Sequence, residues 1–332
     1  MAEMRFNPIT RDWVIIAPAR SQKPNDFRLP SQERPPRPAH RSNCPFCVGN
    51  EKPHEAQRVT AADGSWLARV IPNKFPALAH HADLGRVKHG SFRSMAAAGA
   101  HEVVVEHPRH DLTPASMEPA HLALLLRLYR DRYAALRQDP AIESIIIFKN
   151  HGERAGTSLE HPHSQIVAAP VISSSVRLRL EEASRIHHED GECHYCRVLH
   201  DELQAGDRIL EANDTFAAFV PYAALVPYQV WIFPRRHMAS YDAITDRETG
   251  DLGEVLSRVL RRLSAVLGDP DFNFGIRSSP ISESQSHFCH WYLAIVPRLS
   301  HAAGFELGSG MFINGMRPED SAENLRRAQI DV

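Results

Sequence analysis

Glu160-His161-Pro162-His163-Ser164-Gln165-Ile166-Val167 is the stretch on which the reading of the chain turns. In an extended backbone successive side chains point to opposite sides, so His161, His163 and Gln165 share one face while Pro162 and Ser164 point away. Two imidazoles and a carboxamide then line a common surface behind the small-residue loop Gly156-Thr157-Ser158. An isolated His-x-His is as often an exposed polar strand as a site. Here the cysteines and histidines elsewhere in the chain favour a site.

Four of the five cysteines form two Cys-x-x-Cys pairs, Cys44/Cys47 and Cys193/Cys196, with Cys289 alone. Residues 1–20 mix charges and prolines with apolar residues, and no later apolar run approaches the ~18 residues that span a bilayer. The chain is therefore expected to be soluble and cytoplasmic, with reduced cysteines that bind metal rather than form disulfides. Cys44 and Cys47 offer two thiolates, and His110 and His161 are candidates for the other two corners of a tetrahedral zinc site. Cys193, Cys196, His237 and His290 repeat that inventory in the same order. The pairs lie much further apart than the ~15–20 residues of a zinc ribbon, so two Zn2+ ions per chain are expected. A thioredoxin-like dithiol would follow a strand, whereas Arg34-Pro35-Pro36-Arg37-Pro38 precedes Cys44. With His161 on metal, His163 stays free. An imidazole hydrogen-bonded at one nitrogen presents the other as a nucleophile towards phosphorus, with Gln165, Ser164 or the 156–158 loop amides as donors to the phosphoryl oxygens.

The chain has 332 residues, 43% of them hydrophobic, and a formal net charge of −2. This is enough for a packed core, and it argues against a nucleic-acid partner. Leu122, Leu125, Leu126, Tyr129, Tyr133 and Leu136 recur at helical spacing between Thr113 and Gln138. Leu252, Val255, Leu256, Val259, Leu260, Leu263 and Leu267 do the same before Gly268. Ile145-Ile146-Ile147-Phe148 reads as a strand buried on both faces, and Phe272 to Ile276 as its counterpart. Each half runs Cys-x-x-Cys, a β-rich segment ending in Pro-Arg and then His, a helix, a strand and a histidine-bearing segment. Two similar α+β lobes are expected, residues 1–180 carrying the nucleophile and residues 181–332, joined near 172–190.

These residues resemble the histidine-triad superfamily, specifically its galactose-1-phosphate uridylyltransferase branch. The resemblance runs from Arg5-Phe6-Asn7-Pro8 through Cys44-Pro45-Phe46-Cys47, residues 69–78 and Phe148-Lys149-Asn150 to the His161–Gln165 segment. It implies a HIT-like fold with an antiparallel sheet and packed helices in each lobe, and a homodimer. It further implies that His163 takes up a nucleoside monophosphate, that Gln165 hydrogen-bonds the transferred phosphoryl, and that Cys44, Cys47, His110 and His161 bind zinc. Asn73, Lys74 and Phe75 are then expected near the nucleoside, Asn150 and Ser158 near the phosphates, and Glu306 and Asn314 at a hexose of the neighbouring subunit's site; Ser164 stays a substrate-binding candidate from the residue reading. Three departures matter. Ser164 stands where the uridylyltransferases have Gly. The histidines of their iron site are missing after His290-Trp291, and no lysine stands in Leu299 to Gly304, shortly before Glu306. With Cys193, Cys196, His237, His290 and Gly304-Phe305-Glu306-Leu307-Gly308, these departures resemble the ADP-glucose phosphorylase subgroup.

Gln165 has a chemical reading of its own. A sugar 1-phosphate leaves as a phosphate of second pKa about 6 and needs little protonation, so an amide rather than an acid favours transfer between phosphates over hydrolysis. The first expectation is a ping-pong UDP-glucose:hexose-1-phosphate uridylyltransferase of galactose metabolism, acting on a nucleotide sugar and a sugar 1-phosphate. The alternative is an ADP-glucose phosphorylase with phosphate as acceptor. A reading of another class is a zinc-stabilised, non-catalytic nucleotide-binding protein. Trp291 is expected in the core, Cys289 as a buried apolar residue, and His187-His188 on a solvated face.

Overall fold

The computed structural model describes residues 1–20, 37–80, 84–300 and 302–330. Arg34, Pro35 and Pro36 of the proline-rich loop lie outside them. The chain opens with a ribbon, β1 (Glu3–Phe6) and β2 (Trp13–Ile16). Its first half then builds β3 (Gln57–Thr60), β4 (Trp66–Pro72), the hairpin β5 (Val87–His89) and β6 (Phe92–Ser94), β7 (Ala100–Val105), α1 (Pro119–Leu136), β8 (Ser144–His151) and β9 (His163–Ala169). Helices α2 (Ser174–Asp190) and α3 (His194–Ala205) lead into β10 (Ile209–Ala212), β11 (Phe216–Phe219), β12 (Val230–Pro234), α4 (Asp246–Leu267), β13 (Phe272–Arg277) and β14 (Tyr292–Pro297). The turn α5 (Gly304–Ser309), β15 (Phe312–Asn314) and α6 (Pro318–Arg327) follow. No helix among the described residues is long and apolar enough to cross a membrane.

The helix signals operate as the sequence suggests. Thr245 caps α4 in a capping box with Glu248, whose carboxylate accepts from the Thr245 amide at 2.8 Å, and Gly268 ends the helix in the left-handed conformation. Gly253 lets α4 approach α1 closely, since a Cβ there would lie 2.8 Å from the Pro119 carbonyl.

Ten strands form one antiparallel sheet in the order β10-β11-β12-β14-β13-β8-β9-β7-β4-β3. Counted outward from the β13–β8 seam, both sides carry matching elements, so the α+β repeat is present. The sheets of the two halves are joined edge to edge rather than being separate. Residues 180 and 181 lie within α2. The helices α1 and α4 cover one face, burying Leu126, Tyr129, Ile147, Leu256, Phe274 and Ile295 in the main core. On the other face, the Cys44–Cys47 loop packs on Val103 and Val105 at one end, and α3 packs on Trp231 and Tyr292 at the other. The middle of that face is open. Strand β8 is therefore not buried on both sides, and Ile146 is 40% exposed. A second, three-stranded sheet pairs β2 with β1 and with β15, tying the start of the chain to its far end.

Candidate active site and metal centres

Pro162 has no amide to donate and stands just before β9, so the two histidines it separates meet different environments. His161 is fully buried against the Cys44–Cys47 loop, while His163 begins β9 opposite Val105. The Nδ1–H of His163 donates to the His161 carbonyl at 2.9 Å, which fixes the tautomer and leaves the Nε2 lone pair free. Burial, reinforced by nearby Lys149, holds its pKa below the ordinary imidazole value, so the ring is a neutral base at pH 7. The ring of Phe46 packs 5.4 Å from it.

Beneath His163 lies an ionic pair that sequence reasoning missed. Lys149 and Glu106 are 2% and 1% exposed, and their charged atoms are 2.6 Å apart. Lys149 also donates to the His163 carbonyl at 3.0 Å. Tyr129 donates to the second Glu106 oxygen at 3.0 Å, so its own oxygen accepts from Ser164 at 2.7 Å. Burial acts to raise the Glu106 pKa, but Lys149, together with His163 and Tyr129, more than offsets it and keeps the carboxylate ionised. The Glu106 amide donates to the Pro162 carbonyl at 3.0 Å, so the end of β7 and the entry to β9 are held together through both backbone and side chain.

Gln165 follows on the open face. The Ala77 amide donates to His101 Nδ1 at 3.1 Å, so the proton of His101 is on Nε2, which donates to Gln165 Oε1 at 2.7 Å. With its oxygen engaged, Gln165 keeps its NH2 to donate. Asn73 lies beside this pair, its Nδ2 3.5 Å from the same oxygen. Gln165→Ala and His101→Phe are each expected to lower turnover about 10- to 100-fold, from loss or misorientation of one donor. Their double variant is expected to be little worse than either single, which steady-state kinetics would check.

Cys44, Cys47, His110 and His161 bring four ligand atoms within 4.8 Å of one another, as do Cys193, Cys196, His237 and His290. In the first group Cys47 Sγ lies 3.5 and 3.6 Å from the Nδ1 atoms of His110 and His161, which are 3.3 Å apart. A tetrahedral zinc with Zn–S near 2.3 Å and Zn–N near 2.0–2.1 Å demands about these separations. In the second group Cys196 Sγ is 3.4 and 3.3 Å from the Nδ1 atoms of His237 and His290. His161, His237 and His290 each donate Nε2–H to a backbone carbonyl, of His107, Ser286 and Pro234. That leaves Nδ1 unprotonated for a metal. Both donor sets fit a structural ion that would anchor the strand following its last histidine.

Two family models match, the N-terminal domain of galactose-1-phosphate uridyl transferase over residues 1–173 and its C-terminal domain over residues 178–320. The chain belongs to the galactose-1-phosphate uridyl transferase family. Among curated relatives, an ADP-glucose phosphorylase of Arabidopsis thaliana is 36% identical over 99% of this chain and 93% of its own length. A galactose-1-phosphate uridylyltransferase of Thermotoga maritima is 30% identical over the whole of both chains. The solved structure of an Arabidopsis thaliana ADP-glucose phosphorylase with bound ADP-glucose superimposes with a TM-score of 0.85 at 33% identity, covering 100% of each chain. This member of the family is accordingly a nucleotidyltransferase.

The other expected site residues fall into two groups. Asn150 lies on the open face of β8, its oxygen accepting from Asn273 at 2.8 Å, and Ser158 is exposed in the loop entering the histidine segment. Lys74 and Phe75 are exposed beside Asn73, with the ammonium 5.1 Å from the ring centroid. Ser164 is a correction: it is 1% exposed and points to the helical side of the sheet, because strand alternation sends it opposite to His163 and Gln165. It cannot reach a phosphate from there. Within the chain Asn314 is also wholly buried, its amide bonded to the Ala224 carbonyl and the Met316 amide, while Glu306 caps α5 through the Ala303 amide. Both stand apart from the sheet that carries His163. Trp291 and Cys289 are buried as expected.

Metal analysis of the purified chain is expected to give two zinc ions. Cys196→Ser should halve the content and retain catalysis. Cys47→Ser should also halve it but lose most activity, because His161 and its metal hold the entry to β9.

Proposed function

We propose that the protein is an ADP-glucose phosphorylase. His163 Nε2 attacks the phosphorus of the adenylyl group, forming an N–P bond as the P–O bond to glucose 1-phosphate breaks. Phosphate then attacks the adenylyl-histidine, giving ADP and restoring the free imidazole. Gln165 donates to the phosphoryl oxygens, and Asn150 and the 152–158 loop lie on the side from which they would be approached. The nucleoside is placed near Asn73 and Phe75. The observation that carries nucleotidyl transfer is the neutral His163 with Nδ1 tied and Nε2 free. The choice of adenine is supported by the 36% identity with the phosphorylase and by the second Cys2His2 cluster. Uridylyl transfer from UDP-glucose to a hexose 1-phosphate is the second reading, favoured by the end-to-end match with the Thermotoga maritima enzyme.

Intact-protein mass spectrometry after separate incubation with ADP-glucose and UDP-glucose decides between them. An AMP adduct that is discharged by phosphate is expected. A UMP adduct alone would replace the first reading with the second, and protein with full zinc content and no adduct from either sugar would leave it a binding protein.

A further inference from the structure

The two sides of the β8–β13 seam can be compared position by position. Phe148 of β8 faces Gly275 of β13, with Gln165 beyond Phe148 and Ala294 beyond Gly275. Two residues before Gln165 stands His163, and two before Ala294 stands Tyr292. Two residues after Phe148 stands Asn150, and two after Gly275 stands Arg277. The correspondence extends to the cysteine loops. Phe46, between the first pair, packs on His163, and Tyr195, between the second, lies 6.4 Å from Tyr292. The second half therefore has a counterpart of the catalytic position, in which a tyrosine replaces the nucleophile, an alanine the amide donor and an arginine the asparagine.

That counterpart is an open cleft of about 110 Å³ between α2, β8 and β13, lined among others by Ile146, Arg179, Tyr195, Arg277, Ser279 and Tyr292. The guanidinium of neither Arg179 nor Arg277 has a hydrogen bond or ion pair among the described residues. Ser279, 7% exposed, carries a buried Oγ without a partner. Two guanidiniums thus line one cleft beside the Tyr292 phenol and the Ser279 hydroxyl. A pair of unpaired guanidiniums beside hydroxyls suits a tetrahedral dianion, whose oxygens can each be met by a forked donor.

We propose that this cleft is a second, non-covalent site for phosphate, free or as a monoester, gripped between Arg179 and Arg277. No bond to phosphorus forms there, because Tyr292 stands where the first half has its imidazole nucleophile, and Ala294 supplies no donor.

The test uses the full zinc-loaded chain and equilibrium dialysis with labelled inorganic phosphate, with glucose 1-phosphate as a second arm. The Arg179→Gln/Arg277→Gln double variant is expected to bind one phosphate fewer per chain than the wild type while forming the His163 adduct at an unchanged rate. Arg277→Gln alone, at an exposed position, should weaken it at least tenfold even where the double variant fails to fold. Tighter binding of glucose 1-phosphate than of phosphate would show that the cleft reads the ester as well, and equal binding that it reads the phosphate alone. Unchanged stoichiometry and affinity in the arginine variants, in both arms, would overturn the proposal. Absence of the His163 adduct would count against the proposed function and leave this site standing.

Discussion

His163→Ala is expected to abolish the nucleotidyl adduct and to lower turnover by at least about 10⁴-fold, the scale seen when the nucleophile of a covalent mechanism is removed. No neighbour can take its place. His161 is fully buried in the first metal cluster with Nε2–H committed to the His107 carbonyl, and His101 is held as a donor to Gln165. The variant should fold, since the ring's one hydrogen bond is local and its loss leaves no buried charge. A modest stability loss of roughly 1–3 kcal/mol is expected from the emptied space beside Phe46. Mass spectrometry and zinc analysis on the same sample separate the outcomes. A persistent adduct in a zinc-replete His163→Ala protein would remove His163 from the mechanism.

Lys149→Met is expected to be the most destabilising single change near the site, by about 3–5 kcal/mol in urea unfolding. Among the described residues the ammonium is the one cation in salt-bridge contact with Glu106, and both groups are almost wholly excluded from water. Removing one leaves a buried carboxylate held by the Tyr129 hydroxyl alone, and also deprives the His163 carbonyl of its donor. Replacing both, as Glu106→Leu/Lys149→Met, should recover most of the loss, because two apolar side chains need no partners. The double variant is nevertheless expected to turn over more slowly than wild type, since the His163 carbonyl then lacks the ammonium that holds it. A Lys149→Met protein as stable as wild type would show that the pair is not confined as described.

Much of this arrangement was legible in the residues. The 3.6-residue stripes of α1 and α4, the β-branched runs and the repeated Cys-x-x-Cys and His signals each reflect a local physical requirement that survives folding. The alternation that placed His163 and Gln165 on one face also excludes Ser164 from it, although its hydroxyl had been expected as a phosphate donor. Glu106 and Lys149 were hidden because a charge following an apolar strand ordinarily marks the return to solvent. Only the crossing of β7, β8 and β9 brings the two together under a helix. One signal was available: Val103-Val104-Val105-Glu106 and Ile145-Ile146-Ile147-Phe148-Lys149 end alike in opposite charges. The role of His101 depends on a backbone amide from a loop far away in sequence, which no local pattern reveals. The exposure of Ile146 followed from the open middle of the sheet, not from its own run of isoleucines.

The β8–β13 seam also bears on how the chain can be divided. Its main-chain hydrogen bonds belong to both repeats at once, so neither possesses a finished border of its own. Severing the chain between the repeats would bare the Ile145-Ile146-Ile147-Phe148 strand as an unprotected edge, free to recruit a second copy of itself. The same cut would part β2 from β15. The two repeats therefore share one sheet: the second supplies the strand partner that covers this edge of the first.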